Sequence, residues 1–189
     1  MTLQLHYPDL PIAGSGFVLP PWDPDDASEV AEACSDPVIQ QFISAMPRPY
    51  TLEDARGFIA HAAEGINDGT LIGMAIADPE QGRAIGSITL HTGSQWHWHI
   101  GYWLAPQWRN QGITSAAVGT FARWAFEAYR DLIRISLFTL PDNTASQRVA
   151  EHAGFTREGL LRQWNHTAGF PEDVVMFSLV REDLASTDV

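Results

Sequence analysis

The chain has 189 residues, 45% of them hydrophobic and 18% charged, enough apolar material to bury the core of one domain and too little length to argue for two. Eleven basic residues against 23 acidic ones leave a formal net charge of −12, a field that repels phosphate backbones and anionic bilayers and favours a cationic partner. Every basic residue is an arginine, which excludes Schiff-base lysines, pyridoxal phosphate chemistry and a phosphate-loop lysine.

Cys34 is the only cysteine, so there is no intrachain disulfide and no multi-cysteine zinc site, and a reducing compartment fits. Met1 to Gly16 lacks a basic region followed by an apolar stretch. The longest apolar run, Leu71 to Ala77, is far shorter than the roughly 18 residues of a membrane span. The expectation is a cytoplasmic protein, with neither nucleic acid nor membrane as partner.

In chain order, Gly16 to Leu19 reads as a first strand, Asp25 or Asp26 caps a short helix to about Ala33, and Asp36 starts another to about Ser44. Thr51-Leu52-Glu53-Asp54 is a capping-box pattern, and Phe58, Ile59, Ala62 and Ile66 follow at helical spacing, which predicts a helix over Leu52 to Asn67. Leu71 to Ala77 and Arg83 to His91 are strand-like, and the turn formers Asp78 to Gly82 between them make an antiparallel hairpin. Trp96 to Leu104 is a strand with Trp96, Trp98, Ile100 and Tyr102 on one face and His97, His99, Gly101 and Trp103 on the other.

Pro106 ends that strand. Ile113, Ala117, Phe121, Trp124 and Ala128 then form the apolar stripe of an amphipathic helix. Leu132 to Leu140 is a β-branched, apolar strand. Asn143 to Ala153 is a helix capped by Asp142 or Asn143 and stopped at Gly154, and Phe155 to Trp164 and Val174 to Val180 are the last strands. This order places a strand-helix-strand crossover at the centre of a mixed sheet.

The segment from Gly101 to Thr114 runs from a strand through a short loop into the amphipathic helix. A helix start offers unpaired N–H groups and the positive end of the dipole, and Gly112 lets the backbone approach an anion closely. The glycine spacing is neither a Walker loop nor a dinucleotide fingerprint.

Arg109-Asn110-Gln111-Gly112-Ile113-Thr114 resembles the R/Q-x-x-G-x-G/A pyrophosphate loop of the GNAT N-acetyltransferases, with threonine in the last position. Ile100-Gly101-Tyr102-Trp103-Leu104, Asn143-Thr144-Ala145-Ser146 and Gly154-Phe155 resemble the Rim-type branch, whose members acetylate protein N-termini and various small amines. The resemblance implies an α/β GNAT fold with a mixed, mostly antiparallel central sheet and a parallel βαβ acyl-CoA-binding core, in a single domain over 1–189 with its core at about 17–181. It also implies acetyl-CoA as co-substrate, without a metal.

On the same resemblance, Trp103 and Leu104 offer main-chain groups to the pantetheine arm at a bulge in the strand. Arg109, Asn110, Gln111, Gly112, Ile113 and Thr114 wrap the pyrophosphate, and Asn143 contacts the far side of the arm. Ser146 protonates the leaving thiolate. Asn143 and Ser146 are three apart and share a helix face. Two positions depart from the pattern: His99 stands where the family often has an acidic residue, and Ala116 replaces a glutamate.

His99 can take a proton from an ammonium near neutral pH, directly or through water, and is the candidate general base; a half-exposed strand histidine is the competing reading. His91, His97 and His99 have neither a cysteine nor a spaced carboxylate pair to complete a metal site. Arg148 reads as a solvated helix arginine, with contact to a cofactor phosphate as the alternative. Trp96, Trp98, Trp103 and Trp108 read as core and pocket wall. The expected activity is transfer of an acetyl group to a primary amine, on a protein N-terminus or a small cationic molecule, by direct attack in a ternary complex. A non-catalytic acyl-CoA-binding or interaction module, an antibiotic-modifying acetyltransferase, a longer acyl group and a homodimer all stay open.

Overall fold

The computed structural model describes residues 3–43, 45–167 and 170–185. Its eight strands are β1 (Ile12–Gly14), β2 (Phe17–Leu19), β3 (Leu71–Ala77), β4 (Ala84–Thr92), β5 (His97–Leu104), β6 (Arg134–Thr139), β7 (Thr156–Thr167) and β8 (Phe170–Val180). Six α-helices accompany them: α1 (Ala27–Cys34), α2 (Pro37–Phe42), α3 (Leu52–Asp68), α4 (Ile113–Ala128), α5 (Thr144–His152) and α6 (Arg181–Ala185). The strands form one sheet in the order β1-β2-β3-β4-β5-β6-β8-β7, antiparallel throughout except for the parallel pair β5 and β6. Helix α4 is the crossover between the parallel strands, as expected for that connection.

Two apolar clusters occupy the two faces of the sheet. Trp98, Ile100 and Leu104 of β5 pack with Ile113, Ala117, Phe121 and Phe126 of α4. Trp103, on the opposite face of the same strand, packs with Val30, Ala55 and Ile59 of α1 and α3. Strand β3 lies between both layers, and all seven of its residues are buried, which is why it reads as an unbroken apolar run. The buried stripe of α4 keeps Ile113, Ala117 and Phe121 and adds Val118, Gly119, Ala122, Ala125 and Phe126, whereas Trp124 and Ala128 are only partly buried.

Local chemistry sets the helix ends. Thr51 Oγ1 accepts the Asp54 N–H at 3.2 Å and Asp54 Oδ2 accepts the Thr51 N–H at 2.8 Å, closing the capping box read from the sequence. Asp26 is the N-cap residue of α1 but makes no side-chain cap bond there; the side-chain cap is one turn earlier, at Asp23. Pro24 begins a 3₁₀ turn over Pro24–Asp26 that leads into the helix. Asp23 Oδ1 accepts the Asp25 N–H, and the Asp26 carboxylate turns back to the Asp23 N–H at 3.0 Å. Proline suits the first position of a helical turn because it has no N–H to leave unpaired.

The sheet also contains elements that the sequence did not announce. β1 makes a hairpin with β2, and β7 and β8 are longer than expected. The expected end of α2 at Ser44 lies outside the described residues; α2 itself ends at Phe42. Arg181, at the start of α6, donates to the carbonyls of Tyr129, Arg130 and Leu132 just beyond α4, which ties the last strand to the crossover helix.

Candidate active site

The loop between β5 and α4 passes through a 3₁₀ turn at Pro106–Trp108, then Asn110 at φ +63° and Gly112 at φ +77°. Two left-handed residues in three reverse the chain tightly; asparagine tolerates that region and glycine occupies it without penalty. Gly112 is the N-cap of α4 and supplies no side-chain acceptor, and the first intrahelical bond runs from the Ala116 N–H to the Gly112 carbonyl at 3.1 Å. The N–H groups of Ile113, Thr114 and Ser115 therefore have no intrahelical acceptor and stand at the positive end of the helix dipole.

The Arg109 side chain turns away from this turn. Its guanidinium donates to Asp36 Oδ1 at 2.6 Å and to the Leu104 carbonyl at 3.3 Å. Asp36 Oδ1 also accepts the Ile39 N–H at 3.0 Å and caps α2. Burial works to raise the Asp36 pKa, but the hydrogen bonds from Arg109 and the α2 backbone outweigh it and hold the carboxyl below its ordinary value. Arg109 is thus a strut between the loop and α2, and what it brings to an anion is the backbone of the turn.

Strands β5 and β6 are paired only from His97↔Arg134 to His99↔Ser136. Beyond that point β5 follows β4 as far as Leu104, β6 follows β8 as far as Thr139, and the two splay apart. The expected bulge is absent from β5, whose register with β4 is unbroken from Thr92↔Trp98 to Gly86↔Leu104. Divergence of the parallel pair, and not a bulge, leaves β5 beyond His99 without a strand partner on its β6 side. Alternation turns the main chain of Tyr102 and Leu104 to that side, where the Leu104 carbonyl accepts from Arg109, and that of Trp103 toward β4. A cleft of about 520 Å³ occupies the opening, lined by this edge, by Arg109, Asn110, Gln111, Gly112, Ile113 and Thr114, and by Asn143, Ser146 and Arg148 of the α5 segment.

At the inner end of the cleft, Asn143 Oδ1 accepts the Ser146 N–H at 3.0 Å and caps α5. The Ser146 hydroxyl lies 2.9 Å from the Tyr102 hydroxyl, which also donates to the Ser146 carbonyl at 3.3 Å. Burial pushes the Tyr102 pKa up to about 12, so the phenol stays protonated, and its one hydrogen is shared between the Ser146 carbonyl and Ser146 Oγ; where it sits on Oγ, the serine hydrogen is free for another acceptor. A second cavity of about 290 Å³ begins here and shares Phe42, Ile43, Tyr102, Asn143 and Ser146 with the first. Glu172 is the only charged residue among the described residues that line it.

The structure brings together all the sequence-derived site residues but one. Trp103, Leu104, the turn from Arg109 to Thr114, Asn143 and Ser146 line one cleft. His99 lines neither cavity: its ring stacks on His91 at 4.6 Å and 8°, and it reaches the second cavity only through Phe138, 6.4 Å away. Desolvation lowers its pKa. The sequence reading missed Tyr102, placed with the core residues of its strand face, and Glu172, which no motif marks. Among the described residues no three of His, Cys, Asp or Glu form a metal-holding group, and no helix is long and apolar enough to cross a membrane.

The family model for the acetyltransferase (GNAT) domain matches residues 17–156, and the chain belongs to that family. It is 30% identical over 168 residues to the N-acetyltransferase p20 of Bacillus licheniformis, covering 85% of this chain and 90% of p20. With the N-acetyltransferase YoaA of Bacillus subtilis the identity is 37% over 100 residues, 51% of this chain, and the match spans only 55% of YoaA. The solved structure of RimL, a ribosomal L7/L12 α-N-protein acetyltransferase in complex with coenzyme A, superposes with a TM-score of 0.79 at 22% identity, covering 90% of this chain and 98% of that one. This last likeness is one of fold.

The stacked histidines make stability depend on pH. Burial first, then the neighbouring His99 and His61, push the His91 pKa down to about 4 from an ordinary 6.5. The unfolded chain then binds more protons than the folded one between those values, so stability is complete above pH 6.5 and falls as pH drops toward 4. Urea midpoints measured across this window should decline in the wild type and decline less in His91→Gln.

Proposed function

We propose that this protein transfers the acetyl group of acetyl-CoA to a primary amine by direct attack in a ternary complex. The observation that carries the reading is the meeting of two cavities at the Tyr102–Ser146 pair. One has the chemistry of a pyrophosphate cradle at its outer end, and the other carries a single carboxylate. The fit of the first to coenzyme A is chemical: uncapped N–H groups and a helix dipole suit an anion, and an unpaired strand edge suits the amide groups of a pantetheine arm.

Acetyl-CoA would supply an acyl group already activated as a thioester, so the residues need only position and move protons. The free edge of β5 holds the arm in the splay. The amine nitrogen forms a bond to the acyl carbon as the carbon–sulfur bond breaks. Ser146, its hydroxyl oriented by Tyr102, delivers a hydrogen bond or proton to the departing sulfur. The proton lost by the acceptor ammonium leaves through water. His99, set back behind Phe138, would receive it only by that route, and its lowered pKa keeps it neutral and able to accept at neutral pH. Glu172 and the net charge of −12 favour a cationic acceptor.

A panel of small amines and peptide N-termini with acetyl-CoA, read by free-thiol release and mass shift, tests the assignment. Acetylation of at least one acceptor is expected, and thiol release with none would sink it. Calorimetry should show Gly112→Val weakening coenzyme A binding tenfold or more, because a β-branched residue at φ +77° must abandon the turn that aims the backbone. Ser146→Ala should keep that affinity and lower turnover by about 10- to 1,000-fold.

A further inference from the structure

Trp164 is 61% exposed, yet its position is fixed by a break in the β7–β8 ladder. Leu161 pairs with Val174 and Asn165 with Glu172, so Arg162, Gln163 and Trp164 stand opposite Asp173 alone. Gln163 takes φ +51°, and Asp173 Oδ1 accepts its N–H at 2.8 Å. A left-handed glutamine costs backbone energy, and the aspartate hydrogen bond offsets part of it.

The bulge sets the indole of Trp164 on Phe138, with ring centroids 5.9 Å apart and an interplanar angle of 19°. Phe138 belongs to β6, and β8 lies between β6 and β7 in the sheet, so the indole reaches across a whole strand. Phe138 lines the second cavity, and so do Asn165 and Glu172, the pair that closes one end of the bulge. Bulges that re-aim a side chain are a recurring feature beside active sites. A core tryptophan would be buried, and an incidental surface tryptophan would not require a strained, hydrogen-bonded anchor.

We propose that Trp164 is a specificity-determining residue whose exposed face stacks on a second, guanidinium-type cation of the acceptor while the reacting amine passes Glu172 to the Tyr102–Ser146 junction. The proposal rests on the acetyl-transfer reading above. A planar, weakly hydrated guanidinium matches an indole face better than an ammonium does. The charge around the shelf is favourable: Glu172 is the cavity's only charged lining residue among those described. Arg162 and Asp173 line a hollow together with Trp164, so the charges nearest the shelf, with Glu172, are two carboxylates against one cation.

The test compares (4-aminobutyl)guanidine with (4-aminobutyl)urea, equal in length and planarity but differing in charge, using acetyl-CoA and thiol release. Wild type should favour the guanidine by about 3- to 30-fold in kcat/KM, the range of a cation–π contact from exposed to desolvated. Trp164→Leu should abolish the preference by raising the KM of the guanidine more than by lowering kcat, and Trp164→Tyr should retain most of it. Unchanged coenzyme A affinity in both variants would show that the fold is kept. No preference in the wild type, or one that survives in Trp164→Leu, overturns the proposal. Acetylation of other amines but neither of these overturns the subsite alone, whereas acetylation of no amine at all overturns the reading beneath it.

Discussion

The site depends on a single topological event, the end of the parallel pairing at His99↔Ser136. Each strand has a better-matched antiparallel neighbour on its outer side, β4 for β5 and β8 for β6, and antiparallel pairing is slightly more stable per residue. The sheet twist can then open the central pair without tearing either hairpin. The cost is a stretch of unpaired main chain in the middle of the sheet. Backbone groups need partners, and the cleft leaves this stretch open to solvent or to a ligand with amide-like donors and acceptors. The crossover rule places α4 directly after β5, so the helix start and the open edge border the same cleft.

Several polar side chains of the motif serve the frame and leave the ligand contacts to the backbone. Arg109 holds Asp36, Asp36 caps α2, and α2 supplies Phe42, which lines both cavities. Asn143 holds the first turn of α5, and that turn carries Ser146 beside Tyr102. Replacing Arg109 would therefore act on the acceptor side through α2 as well as on the turn. Such a chain of contacts gives the Arg109 guanidinium a structural role in holding the turn against α2.

Most of the fold was legible in the sequence because its elements carry strong periodic or capping signals. The Thr51–Asp54 box, the α4 stripe and the apolar run of β3 each announced their element. Asp26 was legible as the start of α1, but the side-chain cap at Asp23 was not, because three aspartates lie within four positions and only the backbone path around Pro24 selects which one accepts. The turn from Arg109 to Thr114 was legible through Gly112, whose positive φ is a local property. Tyr102 and Glu172 were not, since each matters through partners that are remote in sequence: Ser146, 44 residues away, and a cavity closed by α2 and β6. His99 was proposed as base from its strand position, but alternation along β5 turns it to the face opposite Tyr102, where His91 meets it.

On the proposed reading an acidic protein takes an anionic co-substrate, which poses an electrostatic question that the absence of lysine sharpens. At physiological ionic strength charges beyond about 8 Å are largely screened, so the net charge of −12 governs encounter more than contact. Within the cleft the N–H groups of Ile113, Thr114 and Ser115 would act at hydrogen-bond distance, aligned by the helix and already desolvated on one side, while Arg148 lines the same wall. Pre-organised dipoles of this kind lose little conformational entropy on binding, unlike flexible lysines. In the proposed reaction the far field is thereby left free to favour a cationic acceptor and the near field the phosphates: one chain could attract two substrates of opposite charge because the two attractions operate at different ranges.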